Sequence, residues 1–264
     1  LNVDEGCLIC GTTDELTVEH IIPQTLWKRF GLDPDHDDLA RYRTTLCQTH
    51  NQATSALHRR SEAIRLIATG EPVTTKTLTH LADWATWVTL LLGLANSHGV
   101  LRPEEARRLL ADRFDGRAGG LPGGIRVYVA RVSEYVERTD FVSHMVGAEH
   151  DGGIVLDHAG LPVGFSAPAG PITASEAIGL GKVAILVLSR TFSSGPNHCV
   201  RLDQAASSVG LELIHPLERD RPEIVPRAID MKAVSEVFMP PLFGDDTSLL
   251  PAAVRGMVEL LVSE

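Results

Sequence analysis

Two short segments carry donors at metal-binding spacing: Cys7-Leu-Ile-Cys10 and, about forty residues later, Cys47-Gln-Thr-His50. Three thiolates and one imidazole satisfy tetrahedral zinc. A lone pair of this kind is weakly informative, whereas two in one short segment point to a single site. Four protein ligands leave no coordination position for water or substrate, so such an ion is scaffolding and the chemistry must lie in other side chains. A Cys7–Cys10 disulfide is disfavoured, because the opening Leu-Asn-Val-Asp-Glu has neither the basic region nor the apolar run of a secretory signal. The expectation is a cytoplasmic protein with reduced thiols.

Between the two halves lies Leu16-Thr17-Val18-Glu19-His20-Ile21-Ile22-Pro23, and Asn51 directly follows His50. With Cys7-Leu-Ile-Cys10-Gly11 ahead of it and Cys47-Gln-Thr-His50-Asn51 behind, this order resembles the HNH (His-Me finger) endonuclease family over about the first sixty residues. The resemblance implies a ββα-metal fold in which one divalent cation, Mg2+ or another, bridges protein and scissile phosphate. It assigns His20 as general base, Glu19 as a carboxylate ligand of that cation and Asn51 as the residue completing the catalytic metal site. A neutral imidazole suits the first role, its ordinary pKa lying near 6.5. The implied reaction is hydrolysis of DNA, leaving a 5'-phosphate and a 3'-hydroxyl. Many members carry an asparagine about five residues before the second knuckle, where this chain has Tyr42 between Arg41 and Arg43; His50 stands where a fourth cysteine is more usual.

These residues need elements to hold them. Leu16 to Ile22 reads as a strand or hairpin arm closed by Pro23, with a short helix from Gln24 to Phe30 after it. A helical pattern runs from Gln48 to Ala68 and ends at Gly70 and Pro72. It carries Arg59, Arg60 and Arg65, candidate phosphate contacts that a solvated helix face explains nearly as well. Further helices are predicted over Thr75 to Ser97, Arg102 to Phe114 and Pro251 to Val262. Beyond the glycine-rich stretch Gly116 to Gly124 the period changes, and strands suit Ile125 to Val129, Ile154 to Asp157, Val163 to Ser166 and Val183 to Ser189. The predicted class is α+β: a zinc-stapled ββα module over 1–70, a helical connector over 71–116 and an α+β domain with a mostly antiparallel sheet over 117–264.

Elsewhere the chemical signals are thin. His198-Cys199 lacks a third partner at recognisable spacing, Asp35-His36-Asp37 reads as a solvated loop, and Gly179-Leu-Gly181-Lys182 lacks phosphate-loop spacing and reads as a turn. Trp84 and Trp87 suit the core. The apolar stretch Leu78 to Ala95 is interrupted by His80 and Asp83, which suits a buried helix and not a membrane span.

At 264 residues, 44% hydrophobic and 22% charged, the chain is long enough and apolar enough to fold. A net charge of -10 opposes broad attraction to nucleic acid, so DNA binding would need a local basic face. The expectation is a metal-dependent DNA endonuclease, with restriction or defence against foreign DNA as a setting by analogy. Its carboxy-terminal domain would select substrate, sense a signal or mediate assembly as a homo-oligomer or with a partner protein. The competing reading is a non-catalytic zinc module that binds nucleic acid or protein.

Overall fold

The computed structural model describes residues 6–29, 43–95, 103–117, 120–121, 124–132, 155–156, 162–164, 172–180, 182–190, 203–204, 206–207, 210–217 and 223–229. The loop around His36, Tyr42, His198-Cys199 and the expected closing helix lie outside them.

The chain combines helices with a largely antiparallel sheet, the α+β class expected from the sequence. Near the amino terminus, strand β1 (Leu16–His20) pairs antiparallel with β2 (Arg43–Cys47), with Leu16 opposite Cys47 and His20 opposite Arg43. The short helix α1 (Gln24–Arg29) follows β1 after Pro23. Helix α2 (Gln48–His58) begins where β2 ends, with Cys47 as its N-cap residue. Two strands and a helix thus meet at the second donor pair, Cys47 and His50.

The helical pattern that the sequence extends to Ala68 is interrupted. A 3-10 turn over Arg59–Ser61 separates α2 from α3 (Glu62–Thr69), and the Ser61 hydroxyl donates to the His58 carbonyl at 2.7 Å. The turn redirects the chain so that Arg60 reaches Asp83. Helix α3 ends at Gly70 in the left-handed conformation (φ 75°), where any side chain would also run into Arg131.

Helix α4 (Thr75–Ala95) is the spine of the fold. Every residue from Leu81 to Gly93 is buried, because α3, the 3-10 turn and α5 (Pro103–Phe114) cover one side and the sheet covers the other. A helix enclosed all round explains an apolar stretch without amphipathic period. Among the described residues no helix is long and apolar enough to cross a membrane.

That sheet has five strands. Strand β4 (Ile125–Val132) lies inside it, with β8 (Val183–Arg190) antiparallel on one flank, while β9 (Glu212–His215), antiparallel at Val127 to Val129, and β11 (Ala228–Ile229), parallel at Arg131 and Val132, each pair directly with it. Strand β7 (Ile172–Leu180) forms a hairpin with β8, with Leu180 opposite Val183, so Gly179 and Leu180 of the expected turn belong to the strand. Two small antiparallel pairs complete the strands: β5 (Val155–Leu156) with β6 (Pro162–Gly164), and β3 (Val73–Thr74) with β10 (Glu223–Ile224).

One continuous core joins these parts. Ile9, Ile21, Ile22, Leu26 and Leu46 from the amino-terminal segment belong to the same buried cluster as Trp84 and Trp87 of α4 and Val127, Val129 and Ile185 of the sheet. Apolar burial therefore anchors the cysteine-bearing segment, in addition to any metal.

Candidate metal centre and adjacent cleft

The ligand atoms of Cys7, Cys10, Cys47 and His50 all lie within 4.8 Å of one another. His50 Nδ1 is 3.3 Å from the sulfurs of both Cys7 and Cys47, and Cys10 Sγ is 4.0 Å from Cys47 Sγ. A tetrahedron built with Zn–S bonds of about 2.3 Å has ligand-to-ligand edges of about 3.8 Å. Donor set and spacing are both compatible with one zinc ion.

Local structure explains the convergence. Cys7 and Cys10 sit on a tight turn in which the Gly11 N–H donates to the Cys7 carbonyl and the Cys7 N–H to that of Thr12, each at 2.7 Å. Gly11 takes a positive φ of 75° there, which its missing side chain allows. The Leu8 N–H donates to the Thr45 carbonyl at 3.0 Å and so lays the turn on β2. Cys47 then closes β2, and His50 stands in the first turn of α2. From the far side, Arg107 of α5 donates to the Leu8 carbonyl, and Phe114 lies against the His50 ring with centroids 6.0 Å apart.

The thiols are held at opposed acidities. Burial is the strongest single influence on Cys7 and pushes it up, yet the backbone N–H groups of Cys10, Cys47 and Ile9, with the His50 ring, outweigh it and bring Cys7 down to about 6. Cys10 is exposed as a residue, but desolvation of its sulfur and the neighbouring Cys7 and Cys47 sulfurs push it up to about 11. Crowded thiols cannot all ionise beside one another, and a divalent cation removes that conflict.

A separate cleft of about 530 Å³ opens beside α2, lined by Glu19, His20, Gln24, Ser55, His58 and Arg59 among others, and by none of the four cluster residues. Its construction follows from two periods. Thr17 and Glu19 alternate onto the face of β1 that meets α2, while Asn51, Ser55 and His58 recur along one side of that helix. Two cross-pairs result: the Asn51 amide donates to Thr17 Oγ1 at 2.6 Å, and His58 Nε2 lies 3.3 Å from Glu19 Oε1. His20, at the end of β1, is half-buried; Arg43 Nε donates to its Nε2 at 3.0 Å, and the Gln24 amide lies 3.0 Å from the same nitrogen.

Of the residues singled out from the sequence, Glu19 and His20 line this cleft together, whereas Asn51 is not among its lining residues and also takes the Ser55 hydroxyl at 3.5 Å. The three arginines part company. Arg59 is exposed at the cleft, Arg60 is held by Asp83, and Arg65 pairs with Glu62 at 2.8 Å and Glu71 at 2.9 Å. His58 carried no sequence signal of its own; its spacing of seven from Asn51 on a helix is the only hint of a shared face. No family model matches this chain, and neither a curated protein nor a solved structure does.

Proposed function

We propose that the chain is a metal-dependent endonuclease that hydrolyses DNA at the cleft beside α2, with Cys7, Cys10, Cys47 and His50 holding a structural zinc. The observation that carries this reading is the pairing of Glu19 and His20 in an open cleft, next to but separate from a four-donor cluster that has no ligand position to spare. That division of labour is what the resemblance to HNH nucleases implies.

The residues present suit a hard cation. Glu19 offers a carboxylate, and magnesium commonly takes one or two carboxylates, keeps several waters and draws its other ligands from substrate phosphate. Bound there, such a cation supplies stabilisation of the charge that develops on the phosphate and the leaving oxygen. His20 does the proton work. Because Arg43 donates into Nε2, the lone pair of that ring is on Nε2, where a base needs it. A water taking the place of both the Arg43 and the Gln24 donors there would give its proton to Nε2 as its oxygen bonds to phosphorus and the bond to the 3'-oxygen breaks, that oxygen taking a proton from solvent. Arg59, exposed on the cleft wall, would meet a backbone phosphate.

The test is cleavage of plasmid and single-stranded DNA by the intact protein with Mg, Mn or Ni. His20→Ala should lower the rate by roughly two to four powers of ten while leaving zinc content unchanged. Cleavage unaffected by His20→Ala overturns the assignment. Absence of cleavage by the wild type in every cation moves the conclusion to a zinc module that binds nucleic acid or protein without catalysis. The Arg43 and Gln24 contacts at His20 and the tether of Asn51 to Thr17 favour that second reading.

A further inference from the structure

An imidazole beside a carboxylate in a cleft is ordinarily a candidate base or cation ligand, and His58 next to Glu19 fits that description. What decides its role is the other ring nitrogen. The indole Nε1 of Trp84 lies 3.2 Å from His58 Nδ1, and an indole N–H can only donate. Nδ1 must therefore carry the lone pair, and the single proton of the neutral ring sits on Nε2.

The contacts at Nε2 agree. That nitrogen lies 3.3 Å from Glu19 Oε1 and 3.2 Å from the backbone carbonyl of His20, and both oxygens require a donor. Three independent contacts thus select one tautomer. Trp84 is fully buried in α4, so the donor that makes the selection is held by core packing rather than by solvent.

We infer that His58 is a positioning residue: Trp84 fixes it as the Nε2–H tautomer, so that it holds the Glu19 carboxylate and the His20 carbonyl in place and offers no lone pair to a cation. This rests on the nuclease reading of the same cleft. The buried helix α4 is then connected to the cleft through Trp84, His58 and Glu19, and one imidazole orients both a cation ligand and the backbone that carries the base. Glu19 keeps its second oxygen for the cation, since Oε1 is occupied.

The test uses the intact protein in two arms. In the first, two-bond nitrogen–proton spectra of 15N-histidine-labelled protein at neutral pH identify the tautomer, the His58 signal being the one lost in His58→Gln. The expected signature is an unprotonated Nδ1 with a proton on Nε2, and Trp84→Phe, which keeps the bulk and removes the donor, should erode it. In the second, His58→Ala should lower cleavage roughly tenfold to a hundredfold, the loss expected for a hydrogen bond to a charged group, while His58→Gln, whose amide can donate to the same oxygens, should recover most of it. A proton found on Nδ1 in the wild type overturns the inference. So does a His58→Gln protein as inactive as His58→Ala with weakened Mn binding, since that is the behaviour of a cation ligand. Absence of cleavage by the wild type would remove the nuclease reading alone; the spectra would still decide how His58 holds Glu19.

Discussion

Asn51 and Thr17 are joined across the junction of β1 and α2, the Asn51 amide donating to the Thr17 hydroxyl at 2.6 Å. The bond ties the start of the helix to the strand that carries Glu19 and His20. Thr17→Val and Asn51→Ala should each cost roughly 0.5–1.5 kcal/mol of stability by urea unfolding, and the double variant should cost little more than either. Additive losses would show that the two side chains act independently, leaving Asn51 a role toward a cation only.

The acidities of the cluster thiols set the proton balance of zinc binding. With Cys7 held at about 6, that sulfur is mostly thiolate at neutral pH, whereas Cys10 at about 11 is a thiol. Zinc requires both as thiolates, so binding should expel the Cys10 proton and hardly any from Cys7. In an unbuffered titration at neutral pH, Cys10→Ser should lower the release by about one proton per zinc, while Cys7→Ser should weaken affinity. As pH falls, protons compete for the sulfurs, so zinc affinity and the stability it contributes must fall with pH. An affinity that holds constant on acidification through pH 6 would contradict this set of ligands.

The structure assigns Asp83 more than the interruption of an apolar helix. Its buried carboxylate receives Arg113 at 2.7 Å, Arg60 from the 3-10 turn and the indole N–H of Trp87. Two elements, α5 through Arg113 and the 3-10 turn through Arg60, are thereby locked to α4. Asp83→Ala strands two guanidiniums, and breaking a buried pair costs about 3–5 kcal/mol, less here because both arginines reach water. A loss of roughly 2–3 kcal/mol in denaturant unfolding is expected. A change under about 0.5 kcal/mol, typical of a surface substitution, would show the network to be idle.

Such contacts mark what could and could not be read from the residues. The cluster was legible because each pair sits within four residues and zinc chemistry restricts the donors. Helix ends were legible too, since Gly70 and Pro103 punctuate the chain through local backbone preferences. What escaped was everything that depends on which faces meet. The pairing of Glu19 with His58 and the indole bond behind it join positions 39 and 26 residues apart and follow only once β1 lies on α2 and α2 on α4. The sheet order escaped for the same reason: β9 and β11 flank β4 from far along the chain, and no local period announces it. Arg60 and Arg65 looked like Arg59 in sequence, and only packing distinguishes them.

That distinction makes the last prediction. Arg60 is engaged by Asp83 and Arg65 by Glu62 and Glu71, whereas Arg59 is exposed on the cleft wall with no ion-pair partner among the described residues. On a chain of net charge -10, a phosphate backbone approaching this cleft meets little other positive charge from that helix face. Each phosphate neutralised by a cationic side chain contributes about 0.9 to the slope of log affinity against log salt for duplex DNA. Arg59→Ala should therefore weaken binding of a short duplex, measured without divalent cation turnover, and flatten its salt dependence by about that amount. Arg65→Ala should leave the slope unchanged, because its guanidinium is already neutralised. Equal slopes for wild type and Arg59→Ala would remove Arg59 from the interface, and a slope that falls only in Arg65→Ala would place the DNA on the opposite side of α3.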